Sequence, residues 1–468
     1  MQVVDLVMPP RRATMPRRGP HMEVEPLVQH RDPDGSIPHQ ESRSHGGDRV
    51  VRSTEREDIG RDEPARDAEL SDPAFATFDY GAVELSERER NYGLYVLGKT
   101  GSGKTVALTN LALLDIYAGK ALVFFDPHGD AARSLIDRIP RRFAEKVCYL
   151  DLSRLNSVAW NPLIGIPLNR AAKAAINLTD ALKDSWPETW GERLASFLRN
   201  GFQLLIEHGR ATLSDLPRIY YDKDHRERFT CRIQDPQLKE FWLGEYRSCD
   251  DRQRREAQGP ILNRIGQCLA IPEIRSVVSH PFSTLDLRRA IDRNYIIVVN
   301  LSKGTIGQTP SSIFGSLMAS SIKTALLSRE DTPEEYRAPL AFYADEFHAF
   351  GTLAWVEMLS ELRKYGIQLT LAHQFADQLQ PLVFSAVLGN VDTMLVFRVG
   401  IDDAERLHKN FTRNNQPLNP AELAEQRPYH AFLKRGLEHY RIETAAPFPG
   451  RTRYDVNTRA SLRRFGIK

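Results

Sequence analysis

The densest chemistry in the chain lies in Gly98-Lys99-Thr100-Gly101-Ser102-Gly103-Lys104-Thr105. Glycines at three of these positions let the backbone turn its N–H groups inward, making a nest that suits oxyanions. An apolar run, Tyr92–Leu97, leads into the octet, and an apolar-faced stretch, Lys104–Ala118, follows it. The octet therefore joins a strand to a helix N-terminus, where the backbone dipole adds positive potential. In that context GxxxxGK[ST] is a triphosphate cradle, with Lys104 reaching the β- and γ-phosphates and the Thr105 hydroxyl ligating Mg2+. The competing reading is a chance glycine-rich turn, and the flanking strand and helix speak against it. ATP and Mg2+ are the expected cofactors.

Such a cradle needs carboxylates. Leu340-Ala-Phe-Tyr-Ala-Asp345-Glu346 ends an apolar strand in two of them. Asp345 is expected to hold Mg2+ through its water shell and Glu346 to polarise the attacking water. A second carboxylate directly after the first is what a hydrolase needs and a mere nucleotide binder does not. Another apolar run, Ile367–Ala372, ends at His373-Gln374. Gln374 either senses the γ-phosphate or caps a turn; His373 has no carboxylate or nucleophile partner in the pattern and reads as structural. Two arginines could neutralise transition-state charge. Arg363 ends an amphipathic helix and is either a solvated charge or a group offered to a neighbouring subunit. Arg398 lies within Leu395–Gly400, at the end of a strand, where an unpaired charge is costly. It is therefore expected to have a partner, be it ATP, a neighbour or an internal carboxylate.

These residues need a scaffold. Tyr92–Leu97, Ala121–Phe125, Tyr295–Asn300, Leu340–Ala344, Ile367–Ala372 and Thr393–Phe397 are short, nearly continuous apolar runs bounded by polar or turn residues. Helical patterns such as Ser311–Ser328 and Trp355–Tyr365 lie between them. Strands alternating with helices predict an α/β fold with a parallel-rich sheet covered on both faces. From about Pro162 the pattern changes. Trp190, Leu194, Phe197, Leu198, Gly201, Leu204 and Leu205 recur at helical spacing; Thr212 with Asp215 reads as a capping box, and Asp235 before Pro236 as an N-cap. This predicts an inserted all-α domain. The expected division is a polar N-terminal tail at 1–74, an α/β motor domain at 75–161 and 286–450, the helical insertion at 162–285, and a basic C-terminal tail at 451–468.

The bulk numbers constrain less. The chain has 468 residues, 41% hydrophobic and 26% charged, an ordinary globular balance. A net charge of +2 leaves room for a local basic lining, whereas a protein that coats DNA nonspecifically is often far more basic. The four cysteines form no CxxC pair, which fits a reducing compartment. No apolar run approaches the ~18 residues of a membrane span, so no transmembrane segment is expected.

Several stretches together resemble a family. Tyr95-Val-Leu-Gly-Lys-Thr-Gly-Ser-Gly-Lys-Thr105, followed by Phe125-Asp126-Pro127-His128-Gly129-Asp130, is similar to the HerA–FtsK superfamily, and most of all to type IV secretion coupling proteins and related conjugative (TraG/TraD-like) ATPases. Trp190-Gly191-Glu192-Arg193, Asn300-Leu-Ser-Lys-Gly304, Ala344-Asp-Glu-Phe347, the run from Arg363 to Gln374, and Phe397-Arg-Val-Gly400 with Asp403-Ala404 follow in family order. The resemblance implies a RecA-like P-loop NTPase with an inserted all-α domain, assembled as a homo-hexameric ring around DNA. It implies Lys104 and Thr105 as Walker A, Asp345 and Glu346 as Walker B, Gln374 as sensor, and Arg363 as the trans-acting arginine. Asp126 matches a family motif, with no physical role beyond shaping the site's edge. Coupling proteins usually carry N-terminal transmembrane helices, where this chain has a polar tail. The expectation is a cytoplasmic motor, docked on a secretion or conjugation complex at the inner membrane or processing DNA in the cytoplasm. The alternatives are a HerA-like translocase for DNA ends, a secretion ATPase moving protein or pilin, and a regulatory scaffold that binds ATP and barely hydrolyses it.

Overall fold

The computed structural model describes residues 76–78, 81–83, 85–156, 158–183, 190–350, 352–413, 416–448 and 452–467. The tail expected at 1–74 lies outside them. The described residues belong to one compact unit, Glu69–Lys468.

The strands are β1 (Ala76–Phe78), β2 (Gly81–Val83), β3 (Leu94–Leu97), β4 (Ala121–Asp126), β5 (Val147–Asp151), β6 (Ile296–Asn300), β7 (Leu340–Asp345), β8 (Ile367–His373), β9 (Thr393–Val396), β10 (Thr412–Arg413), β11 (Gln416–Pro417), β12 (His430–Arg435) and β13 (Glu438–Thr444). All but β10 and β11 form an 11-stranded sheet in the order β2-β1-β13-β12-β9-β3-β8-β7-β4-β6-β5. From β9 to β5 every pair is parallel. From β9 outward through β12, β13, β1 and β2 every pair is antiparallel.

The parallel strands are apolar throughout because both faces are covered. Side chains alternate between the faces. Tyr95, Val123, Phe125, Ile297, Val299 and Phe342 enter one core; Leu94, Val96, Leu122, Phe124, Val298 and Tyr343 enter the other. Helix α1 (Glu87–Asn91) leads into β3. Helices α2 (Lys104–Tyr117) and α3 (Asp130–Arg138) cover the second face through Leu108, Leu111, Leu135 and Ile136. The first face meets the helix Gln308–Leu327, then α4 (Ala171–Lys183) and α5 (Glu192–His208).

Among the described residues, 162–285 contain helices and turns and no strand. Leu194, Phe197, Leu198, Leu204 and Leu205 of α5 are buried as their spacing predicts, and they share one continuous core with the sheet. Asp235 caps the helix Pro236–Glu240 by accepting from Leu238 N at 2.8 Å. The Thr212 box is only half formed. The helix begins at Asp215, whose carboxylate accepts from Thr212 N and Thr212 Oγ1 at 2.7 and 2.9 Å, so the threonine hydroxyl donates instead of capping.

Three differences from the sequence reading affect the site. The β12–β13 hairpin extends the sheet beyond β9 and reaches the phosphate loop. The strand expected at Thr393–Phe397 stops at Val396, which leaves Arg398 outside it. The stretch 451–468, expected as a basic tail, contains the helix Tyr454–Phe465, with Asn457, Ser461 and Phe465 buried. Its Ser461 Oγ accepts from Tyr149 N at 2.9 Å, covering part of the outer edge of β5.

Candidate nucleotide site

The octet 98–105 joins β3 to α2 at the C-terminal edge of the parallel strands. Gly98 has no room for a side chain: a Cβ there would lie 2.6 Å from Phe397 Cβ. Gly101 and Gly103 take left-handed backbone angles, φ +77° and +107°, which a side chain disfavours. Lys99 N donates to Arg398 O at 2.9 Å, which ties the loop to the segment after β9.

Lys104 is buried at the first position of α2. Its Nζ lies 2.8 Å from Glu346 Oε1 and 3.2 Å from Asp345 Oδ1. Glu346 follows the last residue of β7 with φ +49°, a left-handed conformation that costs a non-glycine residue ~1–3 kcal/mol. Burial pushes the Asp345 carboxyl above its ordinary value; Lys104 offsets this only in part, and Glu346 and Asp126 add repulsion. Burial acts upward on Glu346 too, but there the Lys104 ammonium prevails and the carboxyl stays below its ordinary value. Burial lowers the His373 imidazole to about 3, so the ring is neutral. Tyr95 Oη sits 2.6 Å from its Nε2. This is the structural histidine that the sequence suggests.

Among the buried atoms here without a hydrogen-bond partner are Glu346 Oε2 and Ser102 Oγ. His348 Nδ1 stands 3.5 Å from that Glu346 oxygen without hydrogen-bond geometry. An inward-turning glycine loop, a buried lysine and partly unsatisfied oxygens fit a polyphosphate carrying a divalent metal. Thr105, exposed at the start of α2, and Asp345, buried at the end of β7, are the candidates that would hold the metal.

Gln374 lies beside the loop, where Thr100 Oγ1 donates to its Oε1 at 3.2 Å. Asp126 acquires a physical role. Its carboxylate accepts from His128 N and Ala132 N, at 2.8 and 2.9 Å, and so fixes the turn that opens α3 beside the site. Arg363 is not brought to the site. It is exposed ahead of β8, at the opposite end of that strand from Gln374, and its guanidinium stacks 4.2 Å from the Tyr92 ring centroid. Arg398 lies beside the phosphate loop and is half-buried. Of the three partners left open for it, the internal carboxylate is not found: its side chain makes no ion pair among the described residues. The physical reason is that the strand has ended and water reaches the charge. Sequence reasoning passed over Tyr429, whose backbone N donates to Ser102 O at 2.8 Å. It lies in a polar loop with no periodicity to mark it.

A family model described as the type IV secretion-system coupling protein DNA-binding domain matches residues 77–413, most of the chain, including Lys104, Asp345, Glu346 and Gln374. The chain belongs to that family. The fold of this coupling-protein relative is also that of solved structures. The plasmid coupling protein TrwB in complex with ADP and Mg2+ is 16% identical, with a TM-score of 0.59 over 79% of this chain and 89% of that one. TrwB with a non-hydrolysable ATP analogue is 18% identical, with a TM-score of 0.59 over 78% and 88%. VirB4 of Thermoanaerobacter pseudethanolicus is 14% identical, with a TM-score of 0.52 over 80% and 96%. No curated protein matches the sequence. Among the described residues no helix is long and apolar enough to cross a membrane.

Proposed function

We propose that the chain is an ATP-hydrolysing DNA translocase of conjugative or type IV secretion transfer, working as a homo-hexameric ring at the cytoplasmic side of the inner membrane. The observation that carries this reading is Lys104 of a glycine cradle, held 2.8 Å from Glu346 and 3.2 Å from Asp345, in a chain of the coupling-protein family. Bound Mg-ATP supplies the transferable γ-phosphoryl group and the metal's Lewis acidity. The protein's part is positional and electrostatic. Backbone N–H groups of 98–105 orient the phosphates, Lys104 neutralises charge on them, and Thr105 with Asp345 holds the metal. Glu346 orients and polarises water, and Gln374 senses the γ-phosphate at the strand end.

Steady-state ATP turnover, with and without DNA, tests the proposal. The motor reading expects turnover that DNA stimulates, and DNA affinity that falls steeply with salt, because a ring lining contacts phosphates. A second reading is a secretion ATPase that moves protein. That reading expects turnover indifferent to DNA and a flat salt response. Absence of turnover would leave only a nucleotide-binding scaffold.

A further inference from the structure

The phosphate cradle has two ends, and the sheet order distinguishes them. Lys104 meets its carboxylates on the β7 side, and Thr100 meets Gln374 at the end of β8. Both strands lie on one flank of β3; β9 and then β12 lie on the other. A triphosphate whose γ end sits at Lys104 therefore directs its nucleoside away from β7 and β8, toward β9 and β12.

Tyr429 stands on that flank, immediately before β12. A Cβ built on Gly103 would lie 2.9 Å from Tyr429 Cδ1, so the ring rests against the last glycine of the cradle. The backbone is left-handed, φ +66°, in a residue type that rarely adopts it. It is held there from several directions. Tyr429 N donates to Ser102 O at 2.8 Å, Thr444 N donates to Tyr429 O at 2.7 Å, and Gln426 Nε2 fastens the same turn to Val396 O at 3.1 Å. Despite this anchoring the residue is 41% exposed. Its hydroxyl has no hydrogen-bond partner among the described residues. A residue whose backbone is fixed this firmly and whose ring is left partly uncovered offers a flat apolar surface beside the cradle.

We propose that Tyr429 is the stacking platform for the base of the bound nucleotide. The inference rests on reading the cradle as an ATP site and adds how the nucleoside is held. The base is gripped by its π-face, which every base has, so the contact discriminates weakly between adenine and guanine.

The test is calorimetric binding, in Mg2+, of a non-hydrolysable ATP analogue, the matching GTP analogue and inorganic tripolyphosphate. The full chain is compared with Tyr429→Ala, Tyr429→Phe and Tyr429→Asn, the last tolerating a left-handed backbone. Loss of stacking should weaken both nucleoside triphosphates roughly three- to tenfold in the Ala and Asn variants. Tripolyphosphate should bind as before, and Phe should retain nucleotide affinity. Equal losses for tripolyphosphate and nucleotide would overturn the proposal, because Tyr429 would then only shape the loop. Unchanged nucleotide affinity in Ala and Asn would overturn it as well. A wild-type chain that binds neither nucleotide nor tripolyphosphate would instead sink the ATP-site reading on which the inference rests.

Discussion

Two buried charge clusters share this sheet, and they are finished differently. Toward the N-terminal ends of the strands, Arg90 donates to Asp115 at 2.6 Å, Tyr343 at 2.8 Å and Thr370 at 3.0 Å. Lys120 reaches Asp115 at 2.9 Å, Glu87 at 2.7 Å and Gln368 at 2.9 Å. None of these side chains keeps an unsatisfied buried atom. At the C-terminal ends, Lys104, Asp345 and Glu346 form a cluster of similar burial. There Glu346 Oε2 and Ser102 Oγ lack partners, and Glu346 is held at positive φ, +49°. A cluster that only supports the fold satisfies its own hydrogen bonds; one that leaves them open, and strains its backbone to do so, is arranged for something from outside. The same kinds of residue therefore predict opposite responses to mutation.

The largest expected effect is at the open cluster and falls on turnover. Glu346→Gln keeps the shape but cannot polarise water, so ATPase rates should drop by about 10²–10⁴-fold while nucleotide still binds. Lys104→Ala should abolish nucleotide binding or turnover. Glu346→Gln should melt close to wild type, whereas Lys104→Ala leaves Asp345 and Glu346 buried without their shared cation and should lose some stability while still folding. Normal turnover by Glu346→Gln in a steady-state assay would move the base elsewhere.

At the closed cluster the effect should fall on folding. Asp115→Ala leaves Arg90 and Lys120 buried without their shared carboxylate, a change that costs about 3–5 kcal/mol. Denaturant titration reads it directly. The pH dependence has a definite sign. Burial raises the Asp115 carboxyl, but Arg90 and Lys120 outweigh it and hold it below its ordinary value. Its stabilisation is then fully present above the unfolded value of about 3.9 and is lost as pH falls through the folded one. The stability gap between wild type and Asp115→Asn should be constant near neutrality and narrow in acid. Asp345→Asn should behave oppositely at neutral pH. Its carboxylate is disfavoured where it stands, so removing the charge should raise the melting temperature slightly in nucleotide-free protein, while weakening the Mg2+ dependence of turnover.

The open cluster was far easier to read in the sequence than the closed one. Lys104 and Thr105 belong to one contiguous motif, and Asp345 and Glu346 end an apolar run. The closed cluster includes partners 25 and 280 positions apart, Arg90 with Asp115 and with Thr370, and its charged members each look locally like solvated charges. The parallel strands were legible because burial on both faces makes them continuously apolar. The hairpin β12–β13 was not, because β12 offers only the short apolar run Ala431–Leu433 and β13 is mostly polar, with only Ile442 and Thr444 buried. Nor was the helix Tyr454–Phe465, whose buried side includes Asn457, Thr458 and Ser461 and so carries little apolar period. Tyr429 depends on that hairpin, so its place beside the loop could not be read before the fold.

Arg363 and Arg398 give the smallest expected effect on the chain itself, and for that reason the cleanest division between fold and assembly. Arg363 is exposed and rests on Tyr92. An exposed cation–π contact contributes ~0.5–1 kcal/mol, so Arg363→Ala should barely shift the denaturation midpoint. If its ATPase activity nonetheless collapses, the lost group was serving another subunit, because within its own chain it lies at the far end of β8 from Gln374. Mixing settles the direction. Lys104→Ala subunits can donate an intact Arg363 to Arg363→Ala subunits that keep Lys104, so partial recovery of turnover in co-assembled mixtures supports a trans arginine. Arg398 makes the contrasting prediction. It stands beside the phosphate loop of its own chain, with its backbone carbonyl on Lys99 N. A role in cis would leave Arg398→Ala subunits unable to recover at their own sites, whatever intact Arg398 their neighbours carry. Recovery with Arg363→Ala but none with Arg398→Ala would make the site a composite of two chains. No recovery with either variant, in mixtures shown to co-assemble, would count against Arg363 and return the charge-neutralising role to Arg398.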